Sequence, residues 1–167
     1  MDVKWDYKLK EGQNANPVLH VEKNVLDYKY AFDEDAFNEV LSGKGHQLKT
    51  WGNAESTSEP HWIGVKKQTP LHTDPRYPRY TWHLILKVDN FALRGLNKEE
   101  VLLEDNMLIL LDTHSPHQLL SKSNDSMYYF ACSIDSKTLI GKSKAKEKIL
   151  NYIENNDILG NVERIRK

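Results

Sequence analysis

The chain has 167 residues, 23 Lys+Arg against 24 Asp+Glu for a formal charge of -1, 39% apolar residues and one cysteine. That is the size of one domain with one core, and the balanced charge excludes a broad electrostatic surface for nucleic acid or anionic membrane. The lone Cys132 excludes an intramolecular disulfide and a multi-thiolate zinc site. With no apolar run of ~18 residues and no leader-like start, the chain reads as a soluble, cytoplasmic protein.

Along the chain, VLHVEKNVLDYKYAF carries the β-branched and aromatic residues of one or two strands. The segment DEDAFNEVL predicts a short helix, capped by Asp33 or Asp35, with Phe37, Val40 and Leu41 on one face and Gly43 as its stop. Residues 51–60 read as a loop, HWIGVKKQ as a strand, and LHTDPRYPRY as an ordered extended loop, because Pro70, Pro75 and Pro78 forbid a helix. The clearest strand is YTWHLILKV from Tyr80 to Val88. Alternation puts Trp82, Leu84 and Leu86 on one face and Thr81, His83, Ile85 and Lys87 on the other. FALRGLNKEE reads as turn-rich, and VLLEDNMLILLDT and MYYFACSI as two more strands joined by HSPHQLLSKSNDS. From residue 136 to 167 the composition is helical, with Leu139, Ile140, Ile149, Tyr152 and Ile153 as a partial stripe and GKSKAKEKI as a solvated face. The expected architecture is a single domain, 1–167, of the α+β, mainly β class with N- and C-terminal flanking helices.

Seven histidines stand out, four of them from His72 to His117. In His72-Thr73-Asp74 an imidazole and a carboxylate are two residues apart, so in extended chain they point the same way and can take neighbouring positions on one ion. A second histidine from elsewhere, His114 or His117, would complete the two-histidine, one-carboxylate triad that leaves positions open on non-haem Fe(II).

Downstream, Glu104-Asp105-Asn106 reads as a turn, Met107 to Asp112 as a buried strand, and His117 stands on its exit loop. Together with His72, Asp74 and the apolar strand that follows them, this order resembles the Fe(II)- and 2-oxoglutarate-dependent dioxygenase superfamily over roughly residues 60–135. The resemblance implies a double-stranded β-helix (jelly-roll, cupin-like) core, with His72, Asp74 and His117 as the iron ligands and His114 as competitor for the third place. It implies hydroxylation of an unidentified substrate with 2-oxoglutarate and O2. Most members place a basic residue in the strand after the distal histidine to pair with 2-oxoglutarate, and MYYFACSI has none. Lys87 is the expected substitute, as in the asparaginyl-hydroxylase and JmjC branches, with Arg79 and Lys122 as further candidates. Arg76, Tyr77 and Tyr80, on the loop beside the motif, and His83, on the strand, are expected to contact substrate, whether small molecule, nucleotide or protein side chain. Two other functions suit the same residues. One is a catalytically silent jelly-roll module that recognises a nucleotide, peptide or protein partner; the other is a cupin-like metal enzyme that does not use 2-oxoglutarate.

Overall fold

The computed structural model describes residues 8–26, 28–31, 48–51, 60–65, 68–97, 99–122, 128–155 and 163–166. The expected helix through DEDAFNEVL and most of the 51–60 loop lie outside the described residues. The strands are β1 Val18–Glu22, β2 Tyr28–Ala31, β3 Leu48–Trp51, β4 Pro60–Val65, β5 Tyr80–Asp89, β6 Phe91–Gly95, β7 Glu100–Leu102, β8 Met107–Asp112, β9 His117–Ser121, β10 Tyr128–Ser136 and β11 Glu163–Arg166. The helix α1 spans Lys142–Asn155.

Two sheets define the architecture. The larger has the order β1-β8-β5-β10-β4-β3, and the smaller β7-β6-β9, which His72 extends through a bridge to His117 on β9. Among the described residues every pairing between strands is antiparallel. The chain changes sheet between β5 and β6, between β7 and β8, on either side of β9, and so winds round a common interior. That is a jelly-roll core, mainly β, with a helix packed outside it. Strands β2 and β11 form a separate two-stranded sheet, so the tail that composition marks as helical throughout ends in a strand. Among the described residues no helix is long and apolar enough to cross a membrane.

Alternation along β5 sorts the core into two layers. Trp82, Leu84 and Leu86 join Phe130, Cys132 and Ile134 on the outer face of the large sheet, where Ala145, Ile149 and Ile153 of α1 cover them. Those helix positions recur at four-residue spacing, one stripe of the cylinder; Leu139, expected in that stripe, is exposed. Glu22 on β1 pairs with Lys142 and Lys146 at 3.5 Å each and fastens the helix. Ile85, Ile109, Leu111 and Ala131 face the other way and pack with Phe91, Leu93 and Leu119 between the sheets. Asn90 and Asn106 adopt left-handed backbone angles of 66°, which asparagine tolerates, at the turns after β5 and before β8.

Two strands differ from the sequence reading. FALRG and HQLLS are β6 and β9, not turn and connection. Each is only five residues long and ends in polar or glycine-rich sequence, so neither shows periodicity until it pairs with the other. The bulge in β5 matters more. Phe130 pairs with Lys87 and Ala131 with Ile85, leaving Leu86 as an extra residue. Directly paired residues share a face. Lys87 therefore lies with Phe130 on the helix-bearing side, and Val88 takes the inward position against the inter-sheet cluster.

Candidate metal centre

The proline-bound segment before β5 runs extended beside β9. His72 and His117 exchange both backbone hydrogen bonds, 3.0 and 2.9 Å, so their side chains leave on the same side with ring centroids 4.3 Å apart. The Asp74 amide donates to Thr113 O at 2.9 Å and the Thr113 amide to Arg79 O at 2.8 Å, which brings the second residue of the motif round to the same point. Asp74 Oδ2 stands 3.1 Å from His117 Nε2 and 3.6 Å from His72 Nε2, and one donor atom from each of the three residues lies within 4.8 Å of the others. Ligand atoms ~2.1 Å from a common ion are ~3.0 Å apart at octahedral cis positions and ~3.4 Å apart in a tetrahedron. The two carboxylate–imidazole distances are close to these values.

Hydrogen bonds to carbonyls orient both rings. His72 Nδ1 donates to Pro70 O at 2.8 Å and His117 Nδ1 to Ser115 O at 2.9 Å. A carbonyl can only accept, so in each neutral ring the proton is on Nδ1 and the lone pair of Nε2 is aimed at Asp74. Two imine lone pairs and a carboxylate then converge, an arrangement that a cation must hold together. Protons can fill that role: hydrogen bonding to Asp74 raises the His72 pKa above the usual histidine value despite burial. Burial pushes the Asp74 carboxyl up, but the hydrogen bonds from His117 and His72 outweigh it and hold it well below the usual carboxylate range. A divalent ion can do the same, and carbonyl-anchored imidazoles are its common second layer. The His117 side chain is 5% exposed against 31% and 34% for His72 and Asp74, so one ligand is sealed in and the other two form the rim.

The remaining candidates go elsewhere. His114 donates from Nε2 to Tyr77 O at 2.9 Å and belongs to the rim loop. Arg79 forms a two-point pair with Asp112, Nε to Oδ1 at 3.0 Å and Nη2 to Oδ2 at 2.9 Å, and also donates to Gly12 O at 2.5 Å. Lys122 pairs with Glu100 at 2.5 Å, and Lys87 faces the helix side of the large sheet. Tyr80 packs against the outer core under the Arg79 guanidinium. Arg76 and Tyr77 are exposed on the turn after Asp74. His83 is buried in the interior, its Nδ1 2.5 Å from Ser133 Oγ. Cys132 is buried and its thiol pKa is pushed up by that burial, which suits an inert core residue.

Sequence reasoning gave no role to the structure behind His117. Asp112, wholly buried, accepts from Arg79, from Asn14 Nδ2 at 2.9 Å, from Ser115 Oγ at 2.8 Å and from the His114 amide at 3.1 Å. Residues 12–17 cross this corner as a strap. The Asn14 amide donates to Ser115 Oγ at 2.7 Å, Gln13 Nε2 to His114 O at 2.8 Å, and the Asp112 amide to Pro17 O at 2.8 Å. A β-carbon on Gly95 would overlap Pro17, so glycine lets the strap lie against β6. Ser115 is thus held from two sides while its carbonyl orients His117. The one sequence signal was Asp112 itself, a charged residue ending an apolar strand.

No family model matches the chain, and no curated protein matches it. Among solved structures, the plu4264 protein of Photorhabdus luminescens aligns over 93% of this chain and 97% of its own, at 13% identity and a TM-score of 0.35. A cupin 2 domain-containing protein of Halorhodospira halophila aligns over 91% and 93%, at 11% identity and a TM-score of 0.33. A cupin-2 domain of Rhodospirillum rubrum, Rru_A2000, aligns over 92% and 90%, at 10% identity and a TM-score of 0.33. The fold assignment rests on the strand order and register given above, not on these superpositions.

Proposed function

We propose that this chain is a metal-dependent, cupin-like enzyme of the non-haem iron type, in which His72, Asp74 and His117 bind Fe(II) and which works without 2-oxoglutarate. The observation that carries the reading is the pair of imidazoles held by Pro70 O and Ser115 O with both Nε2 atoms turned to one carboxylate oxygen. Two histidines and one carboxylate on one face of an ion are the donor set of Fe(II) oxygenases. When bound there, iron would supply Lewis acidity and a place to activate O2. The protein's own contribution is geometry: carbonyls fix the ring orientations, the buried His117 keeps water from one side, and the rim at His72 and Asp74 admits substrate.

The 2-oxoglutarate dioxygenase reading requires a cation facing the metal to pair with the remote carboxylate of the cosubstrate. Arg79 is neutralised by Asp112, Lys122 by Glu100, and Lys87 faces the helix side. Arg94 on β6 pairs with Glu100 and Gln118. This favours the reading without 2-oxoglutarate.

Anaerobic titration tests both points. Fe(II) is expected to bind with one-to-one stoichiometry and raise the melting temperature, and His72→Ala to remove both effects. Adding 2-oxoglutarate to the Fe(II) protein is expected to leave the visible spectrum unchanged; a new metal-to-ligand band would restore the dioxygenase reading. A wild-type protein indifferent to Fe(II), Co(II) and Zn(II) would sink every enzymatic version.

A further inference from the structure

The start of β5 adjoins the end of β8, since Tyr80 pairs with Asp112 and Thr81 with Leu111. The turn after Asp112 leads directly to His117, so the inward residues at this end of the large sheet lie at the same end of the core as the metal centre. They are Thr81 and His83 on β5 and Ser133 on β10, with Asp135 on the same face by register. The surrounding interior is apolar: Ile85, Ile109, Leu111 and Ala131. Thr81 is 3% exposed, and its Oγ1 has no hydrogen-bond partner. Buried hydroxyls almost always have one. Nearby, His83 and Ser133 are bonded to each other.

We propose that this row is a subsite for a small, uncharged, hydroxyl-bearing ligand, whose near end meets the metal and whose far hydroxyl supplies the partner that Thr81 Oγ1 lacks. The proposal rests on the metal reading above and adds the ligand class. The class follows from charge and from coordination. Asp135 lies beside Thr81 by register, so a carboxylate brought here would be desolvated next to a like charge. A hydroxyl both donates and accepts, as Thr81 does. Three side chains on one face of an ion leave adjacent positions open, which two neighbouring oxygens of an α-hydroxyketone can occupy while a further hydroxyl reaches the wall.

Dihydroxyacetone is a suitable probe, with glutarate as the charged control, and binding can be read from the visible spectrum of the full chain loaded with Co(II). Dihydroxyacetone is expected to perturb the Co(II) bands at concentrations where glutarate does not. Thr81→Val should weaken dihydroxyacetone roughly five- to tenfold, the loss of one hydrogen bond, with Co(II) affinity unchanged, and Thr81→Ser should retain it. Metal-free Thr81→Val should also melt about 2 °C or more above wild type, because a methyl replaces an unsatisfied hydroxyl. Equal dihydroxyacetone affinity in Thr81→Val, a lower melting temperature for that variant, or tighter binding of glutarate would each overturn the subsite while leaving the metal centre standing. Failure of the wild type to bind Co(II) would overturn the metal centre and the subsite together.

Discussion

Asp112 accepts hydrogen bonds from the Arg79 guanidinium, the Asn14 amide group, the Ser115 hydroxyl and the His114 backbone, whereas Asp74, at the same end of the core, faces the Nε2 atoms of His72 and His117. Both carboxylates are held below their usual pKa, against the opposing effect of burial. Only the first is stabilised by donors that are permanently charged or cannot give up their protons. Asp74 depends on imidazole nitrogens, and any divalent ion that binds imidazole can displace their protons. The difference separates a structural anion from a ligand: a buried carboxylate surrounded by fixed donors has no affinity left to offer, while one that shares a point with two oriented imine nitrogens has.

The largest effect expected from this contrast is on metal affinity. Asp74→Ala or His117→Ala should weaken Co(II) or Fe(II) binding at least a thousandfold, about 4 kcal/mol, by calorimetric titration, with a much smaller change in unfolding free energy. Arg79→Gln should do the reverse. It leaves the wholly buried Asp112 without its cation and should cost about 3 kcal/mol in denaturant unfolding, and a loss under ~1 kcal/mol would show that Asn14 and Ser115 suffice. Asn14→Ala acts on both regions at once. It should lower metal affinity about tenfold, as removal of a support behind a ligand typically does, and Asn14→Asp should not rescue it because it places a second carboxylate against Asp112.

The smallest effect is on pH dependence. In metal-free protein the raised His72 pKa contributes stability below the ordinary histidine value of ~6.5 and loses it as pH rises through the folded value. The lowered Asp74 pKa contributes above ~4 and loses it as pH falls through the folded value. The melting temperature should therefore fall between pH 6 and pH 8 without metal. With saturating Zn(II) it should rise over the same range, because metal competes with the proton on His72. Parallel curves with and without metal would contradict the shared site.

The parts of this arrangement visible in sequence are those that local spacing encodes. His72 and Asp74 are two residues apart in chain that proline keeps extended, and β5 and β8 are long enough to show apolar character without their neighbours. Strands β6 and β9 mix polar residues or glycine into five positions each and acquire strand geometry by pairing with each other. The Arg79–Asp112 pair and the hold of Asn14 on Ser115 join positions far apart in sequence, and no periodicity reports them. Lys87 fails for another reason: alternation is a reliable guide only until a residue is added to one strand and not to its partner.

That added residue at Leu86 also bears on how this chain should be compared with others. An ungapped alignment carried across position 86 matches Lys87 to columns whose side chains point into a jelly roll and Val88 to columns that point out, reversing both. A single gap in the partner sequence at that point restores the correspondence for the remainder of the strand. Searches that score lysine in an inward column will count a cosubstrate anchor where this protein has a half-buried lysine on the helix side of the sheet, and will miss relatives that carry the same extra residue.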